Sequence, residues 1–74
     1  MTVQVQSILF PINTFNVTQS RKWLKDHKFI WNGNYIRKPH GKYYHFRQKD
    51  PRMFSKFRAR RIMKYNIVFI FGIP

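Results

Sequence analysis

Residues 47–61 read RQKDPRMFSKFRARR. Arg47, Lys49, Arg52, Lys56, Arg58, Arg60 and Arg61 stand here against a single carboxylate, Asp50, with Pro51, Met53, Phe54 and Phe57 set among them. A solvated polycationic tail carries few aromatics, because it has no core to put them in. A folded element needs an apolar side. Pro51 suits the first position of a helix, where its missing N–H has no partner to lose, and Asp50 before it can cap the start. Met53, Phe54 and Phe57 then fall at i, i+1 and i+4 and share one side, while Lys56, Arg58, Arg60 and Arg61 point away. The stretch is therefore expected to be the end of a strand followed by a short basic helix.

Downstream, YNIVFIFGI (65–73) reads as a final strand stopped by Gly72 and Pro74. It is apolar on both faces. Such a strand is either central and covered on both sides, or covered on one side by a partner. Upstream, KYYHFRQ (42–48) is a strand with Tyr43, His45 and Arg47 on one face and Tyr44, Phe46 and Gln48 on the other. Before it, FIWNGNYIRK (29–38) places Asn32-Gly33 between two β-prone triplets, which fits a type I′ hairpin turn or a loop between longer strands. NVTQSRKWLKDHKF (16–29) has helical spacing, with Thr18 or Asn16 able to cap it. Ser20, Trp23, Leu24 and His27 form its inner face and Arg21, Lys25 and Lys28 a basic one. VQVQSILF (3–10) alternates, then turns continuously apolar, and reads as a first strand ended by Pro11 and Asn13.

The order is β-α-β-β-(short α)-β. It implies a single small α+β domain over residues 1–74, an antiparallel sheet with one helix layer, for which a ferredoxin-like arrangement is one option. Seventy-four residues leave room for one marginal core, burying roughly 60–65% of the unfolded surface. The 43% hydrophobic and 19% aromatic content speaks for a folded chain rather than a disordered polycation.

The net charge is +13, from 15 Lys and Arg against Asp26 and Asp50. All of the cations except Arg21, Lys22, Lys25 and Lys28 lie between Arg37 and Lys64. Self-repulsion on this scale opposes compaction unless a polyanion supplies counter-charge. Nucleic acid is the first expectation, and an acidic protein surface or larger assembly the second. The chain has no cysteine, which excludes disulfides, thiolate metal sites and a Cys nucleophile, and fits a reducing, intracellular compartment. The N-terminus has no basic region ahead of its short apolar stretch, so no signal peptide is read there, and IVFIF (67–71) is too short to span a bilayer. That same apolar run is a surface through which copies could associate.

Enzyme chemistry has little to work with. Two helix-associated carboxylates do not make an acid–base pair, and His40 and His45 match no strong metal spacing. The three glycines stand apart, so there is no phosphate loop. No catalytic residue, metal ligand or cofactor is assigned. Arg and Lys can bind phosphate, and aromatic rings can stack on unpaired bases. The expected nucleic-acid contacts are Arg37, Lys38, Lys42, Arg47, Lys49, Arg58, Arg60 and Arg61, with Tyr43 and His45 adding stacking or hydrogen bonds. Tyr44 and Phe46 face the core instead.

The segments VQSILF, RKWLKDHKF and YYHFRQKDPRMFSKFRARRI, followed by an apolar end at Gly72, resemble a family of small basic proteins encoded mainly by large DNA viruses, with related segments in phage proteins. Val5 to Phe10 matches the family's opening. Lys22, Trp23, Leu24, Lys25 and His27 match its middle. Tyr43, Tyr44, Phe46, Arg47, Gln48, Pro51 and Phe54 match its central pattern, and Phe57 to Ile62 its basic stretch. Lys28 stands where the pattern has Gly, His45 where it has Arg, and Ala59 where it has Thr. The first departure bears on the helix end, since Gly there supplies a positive φ. The resemblance implies a viral origin and a small α+β module, and assigns no activity.

The reading is thus a non-enzymatic, virus-encoded basic module that binds nucleic acid by phosphate contacts, largely without regard to sequence. A minor capsid or cement-type protein within a larger assembly is the alternative, favoured by the doubly apolar last strand. A small organellar ribosomal protein binding rRNA shares the same charge logic.

Overall fold

The computed structural model describes residues 2–37, 41–62 and 65–74. Among the described residues one helix, five strands and one short turn follow one another: β1 (Gln4–Pro11), α1 (Val17–Asp26), β2 (Tyr35–Ile36), β3 (Tyr43–Arg47), a 3₁₀ turn (Pro51–Met53), β4 (Lys56–Ile62) and β5 (Ile67–Ile73). The strands form one antiparallel sheet in the order β2-β3-β1-β5-β4. The expected α+β architecture, one helix layer on an antiparallel sheet, is what the chain adopts.

The decisive stretch differs from expectation. Asp50 does cap a turn opened by Pro51, its carboxylate accepting from the Arg52 N–H at 2.9 Å. The turn ends at Phe54, which is extended at φ −126 and ψ 147. Residues 56–62 are then a strand, not a helix, paired along its whole length with β5 from Lys56↔Ile73 to Ile62↔Ile67. The helical signal was three apolar residues over one turn. The strand gains a full backbone ladder against an apolar neighbour, and long-range pairing of that kind overrides weak local preference. Of the ferredoxin-like option the antiparallel order β2-β3-β1-β5 is kept, while β4 stands in place of the second helix and extends the sheet by one edge strand. β5 is central, with both edges paired, to β1 and to β4, while its faces differ: Ile67 and Phe69 pack under the helix and Val68 and Ile70 lie on the opposite side.

Two further expectations change. No strand forms at 29–31, and neither Asn32 nor Gly33 has the positive φ that a type I′ turn needs. The segment from Phe29 to Asn34 is instead an irregular connection from α1 to the two-residue β2.

Alternation along the strands assigns the faces. Ile8 and Phe10 of β1, Phe46 of β3 and Ile67 of β5 are buried with Leu24 of α1 in one cluster, against which Val5, Phe15, Val17, Trp23, Phe29, Tyr44 and Phe69 pack. Phe10 sits at its centre, edge-on to Phe15 at 5.3 Å, Trp23 at 5.7 Å and Phe46 at 5.6 Å. Edge-to-face contacts of this sort add to area burial. An extra residue, Gln6, is accommodated between Val5↔Phe71 and Ser7↔Ile70. This β-bulge lets Val5 and Ile8 both face the helix. The Gln6 carbonyl accepts from the N–H groups of Gln48 and Lys49, and its amide donates to the Lys49 carbonyl at 3.0 Å.

The helix is capped as the sequence reading allowed, by Asn16, in a reciprocal box with Gln19: the Asn16 side chain accepts from the Gln19 N–H at 2.7 Å and the Gln19 side chain from the Asn16 N–H at 2.9 Å. Ser20 and Leu24 are fully buried, and Ser20 returns its hydroxyl to the Asn16 carbonyl. At the other end Lys28 takes φ 63, while Phe29 N–H reaches the Leu24 carbonyl and Lys28 N–H that of Lys25. This is a Schellman closure with lysine where glycine is usual. His27 lies on the Trp23 ring at 3.8 Å, near parallel, with Nδ1 2.8 Å from the Trp23 carbonyl.

Candidate nucleic-acid interface

The helix covers one face of the sheet. On the other face, no described helix or strand forms a second layer. The register lines its residues up in rows. One row runs Ile36, His45, Leu9, Val68, Arg61 across all five strands. The next runs Arg47, Ser7, Ile70, Ala59. Tyr43 stands beside Pro11 at one end, and Phe57 beside Gly72 and Gln4 at the other. Directly opposed residues of antiparallel strands share a face, so these groups are neighbours on one surface. Its middle is apolar, with Leu9 buried and Val68 and Ile70 half-buried; the exposed Arg47 on β3 and Arg61 on β4 flank that middle, and the exposed Ile36 stands at the β2 edge. Phe54 folds back from the 3₁₀ turn onto Gly72 and meets Phe57 edge-on at 6.1 Å.

Of the residues singled out from sequence, Tyr43, His45, Arg47 and Arg61 meet on this face. Arg58 and Arg60 do not: opposite Phe71 and Phe69, they stand on the helix side of β4. The basic run is thus split by strand alternation between the two sides of an edge strand, every residue of which is exposed. Arg37 follows β2 and holds its guanidinium 5.8 Å over the Tyr44 ring. Lys42 is exposed just ahead of β3, its carbonyl accepting from Ile12 N–H at 3.0 Å. Lys49 is exposed after β3, beside Gln6. Lys38 and His40 lie outside the described residues.

Both side-chain carboxylates of the chain are engaged locally. Asp26 stands 4.0 Å from Lys22 one helical turn away. Asp50 is gripped by Arg52, whose Nη2 donates at 2.8 Å and whose Nε reaches both oxygens at 3.2 Å. The Arg52 guanidinium, and then its backbone N–H, hold the Asp50 carboxyl at about 2, below its ordinary 3.8, and Asp50 in turn raises Arg52. The chain has no other acidic side chain to set against the cations of β3 and β4.

Two residues outside the expected set organise the irregular segment. Arg21 donates from Nη1 to the carbonyls of Trp31, at 2.6 Å, and Gly33, at 3.0 Å, with its guanidinium over the rings of Tyr35 and Phe46. Gln48 works as a substitute strand: its Oε1 accepts from Ile30 N–H at 2.7 Å and its Nε2 donates to the Ile30 carbonyl at 2.9 Å. Lys25 adds a contact 5.1 Å over the Trp31 ring. Two shallow clefts of about 430 and 410 Å³ flank this amide bridge, one lined by Ile36, Arg47 and Asp50 among others, the second by Val5, Lys28 and Phe29. Helical spacing identifies Arg21 and Lys25 as a basic face, but their partners are ten and six positions ahead and leave no periodic trace.

Among the described residues no three of His, Cys, Asp or Glu come together, and no helix is long and apolar enough to cross a membrane. No known protein family, curated protein or solved structure matches the chain.

Proposed function

We propose that this chain is a non-enzymatic basic module that binds nucleic acid through phosphate contacts, largely independently of sequence. The observation that carries the reading is electrostatic. Both acidic side chains are tied to neighbouring cations, while Arg47 and Arg61 flank the middle of an open sheet face and Arg58 and Arg60 extend the field around the β4 edge. A polyanion supplies the missing counter-charge, and a row of phosphates does so at strand-like intervals. Tyr43 and His45, on the same face as Arg47, add ring surface beside the cations. The viral setting rests on the family resemblance alone.

Fluorescence anisotropy of a labelled oligonucleotide, repeated at several salt concentrations, tests it. With about six phosphates neutralised, log K falls against log salt with a slope of about −5 on duplex DNA. Replacing Arg58, Arg60 and Arg61 together by Ser weakens binding to all sequences alike. A flat salt response overturns the proposal.

The assembly reading keeps one specific support. Association through 67–71 cannot use the edges of β5, which are taken, and would have to cover Val68 and Ile70 on the open face. Self-association of the purified protein together with indifference to nucleic acid would select it.

A further inference from the structure

We infer that the occupant of the open sheet face is single-stranded nucleic acid, with unpaired bases against Tyr43 and the apolar middle of the sheet and phosphates at the flanking arginines. This deepens the nucleic-acid reading and rests on it.

The major groove of duplex DNA is about 12 Å wide and admits a helix or a two-stranded ribbon. Four steps of about 4.8 Å separate the outer strands of a five-stranded sheet, roughly 19 Å in all, so this face cannot enter a groove. Between His45 and Arg61 lie Leu9 and Val68, and between Arg47 and Ala59 lie Ser7 and Ile70; Leu9 and Ser7 are buried, so Val68 and Ile70 supply the accessible part of the floor. The outside of a duplex presents phosphate and sugar, which gain nothing from an apolar floor. A single strand turns its bases onto that floor and leaves its phosphates outward, towards the arginines. The flanking strands, β3 and β4, are three strand steps apart, about 14 Å. The helix could dock in a groove only with its basic side, and there Arg21 and Lys25 are already committed to the segment carrying Trp31 and Gly33, which leaves Lys28, beyond the last turn, as that side's remaining cation.

The test compares one labelled oligonucleotide of about twelve nucleotides, within the usual range of single-strand sites, as single strand and as duplex at the same salt. The single strand is expected to bind at least about tenfold more tightly. Tyr43→Ala should weaken single-strand binding roughly fivefold or more, while Tyr43→Phe, which keeps the ring, stays within about twofold. On the unaltered protein, methyl resonances of Leu9, Val68 and Ile70 should shift on addition of the single strand, and those of Ile8, Leu24 and Ile67, on the helix side, should not. Equal affinity for both forms, or shifts confined to the helix-side methyls, overturns the inference and leaves the nucleic-acid reading intact. Binding to neither form removes both.

Discussion

The Phe54 ring occupies the space where a side chain on Gly72 would have to stand. A Cβ built on Gly72 would collide with three atoms of that ring. Gly72 is there for close approach and not for backbone freedom, since its φ is not positive. Gly72→Ala is therefore expected to destabilise the fold by about 1–3 kcal/mol, the usual cost of overpacking. The penalty should shrink in a Phe54→Ala background, because the clash needs both groups. Urea unfolding of the four proteins of that cycle measures it; a Gly72→Ala cost unaffected by Phe54 would contradict the contact.

Lys28 should be better replaced by glycine. A left-handed non-glycine residue costs roughly 1–2 kcal/mol, and glycine's extra freedom in the unfolded chain returns roughly 0.5–1 kcal/mol of that. Lys28→Gly is thus expected to stabilise by about 0.5–1 kcal/mol, read as a higher denaturation midpoint. Lower stability would mean that the helix does not end in the closure made by Phe29 and Leu24.

The Gln48 amide holds Ile30 by both backbone groups. Gln48→Ala should cost about 0.5–1.5 kcal/mol, as for a net hydrogen bond at a partly exposed site. Its clearer signature is local: amide exchange at Ile30 should accelerate while Ser20 and Leu24 amides stay protected. Unchanged exchange at Ile30 would show that Arg21 alone suffices to hold the segment.

Asp50 sets an acid dependence. Its folded pKa, about 2, lies below the ordinary 3.8, so its stabilising contribution is complete above the ordinary value and is lost as pH falls through about 2. A carboxyl-carbon NMR titration should find the Asp50 midpoint near 2. Arg52→Ala should bring it back towards 3.8, and a wild-type midpoint already near 3.8 would show the pair to be open in solution.

Most elements are legible in the sequence wherever one period dominates. The first strand opens on an alternation, the helix carries a stripe backed by a cap, YYHFR splits its aromatic and basic residues by alternation, and the last strand is a short apolar run bounded by Gly72 and Pro74. The segment 56–62 is not legible in the same way, because KFRARRI fits neither period throughout. Its apolar residues, Phe57, Ala59 and Ile62, do not mark a face, and only β5 beside it, reached through a turn, makes it a strand. The aromatic and basic interleaving on β3 was visible because one strand's alternation keeps Tyr43, His45 and Arg47 together. The joining of Arg61 to that face, and the exclusion of Arg58 and Arg60 from it, depended on a pairing partner that local patterns do not contain. Arg21 and Gln48 were opaque for the same reason: their partners are main-chain carbonyl and amide groups, which every residue has.

Arg21, braced against two carbonyls and two rings, changes how the composition should be weighed. So do Lys25 over Trp31, Arg37 over Tyr44 and Arg52 in the grasp of Asp50. Positive groups already employed in holding the molecule together have fewer protons to offer a visitor, and their share of the condensed counterion cloud stays put when the visitor arrives. The ion release seen on binding will therefore fall well short of what fifteen Lys and Arg suggest on paper.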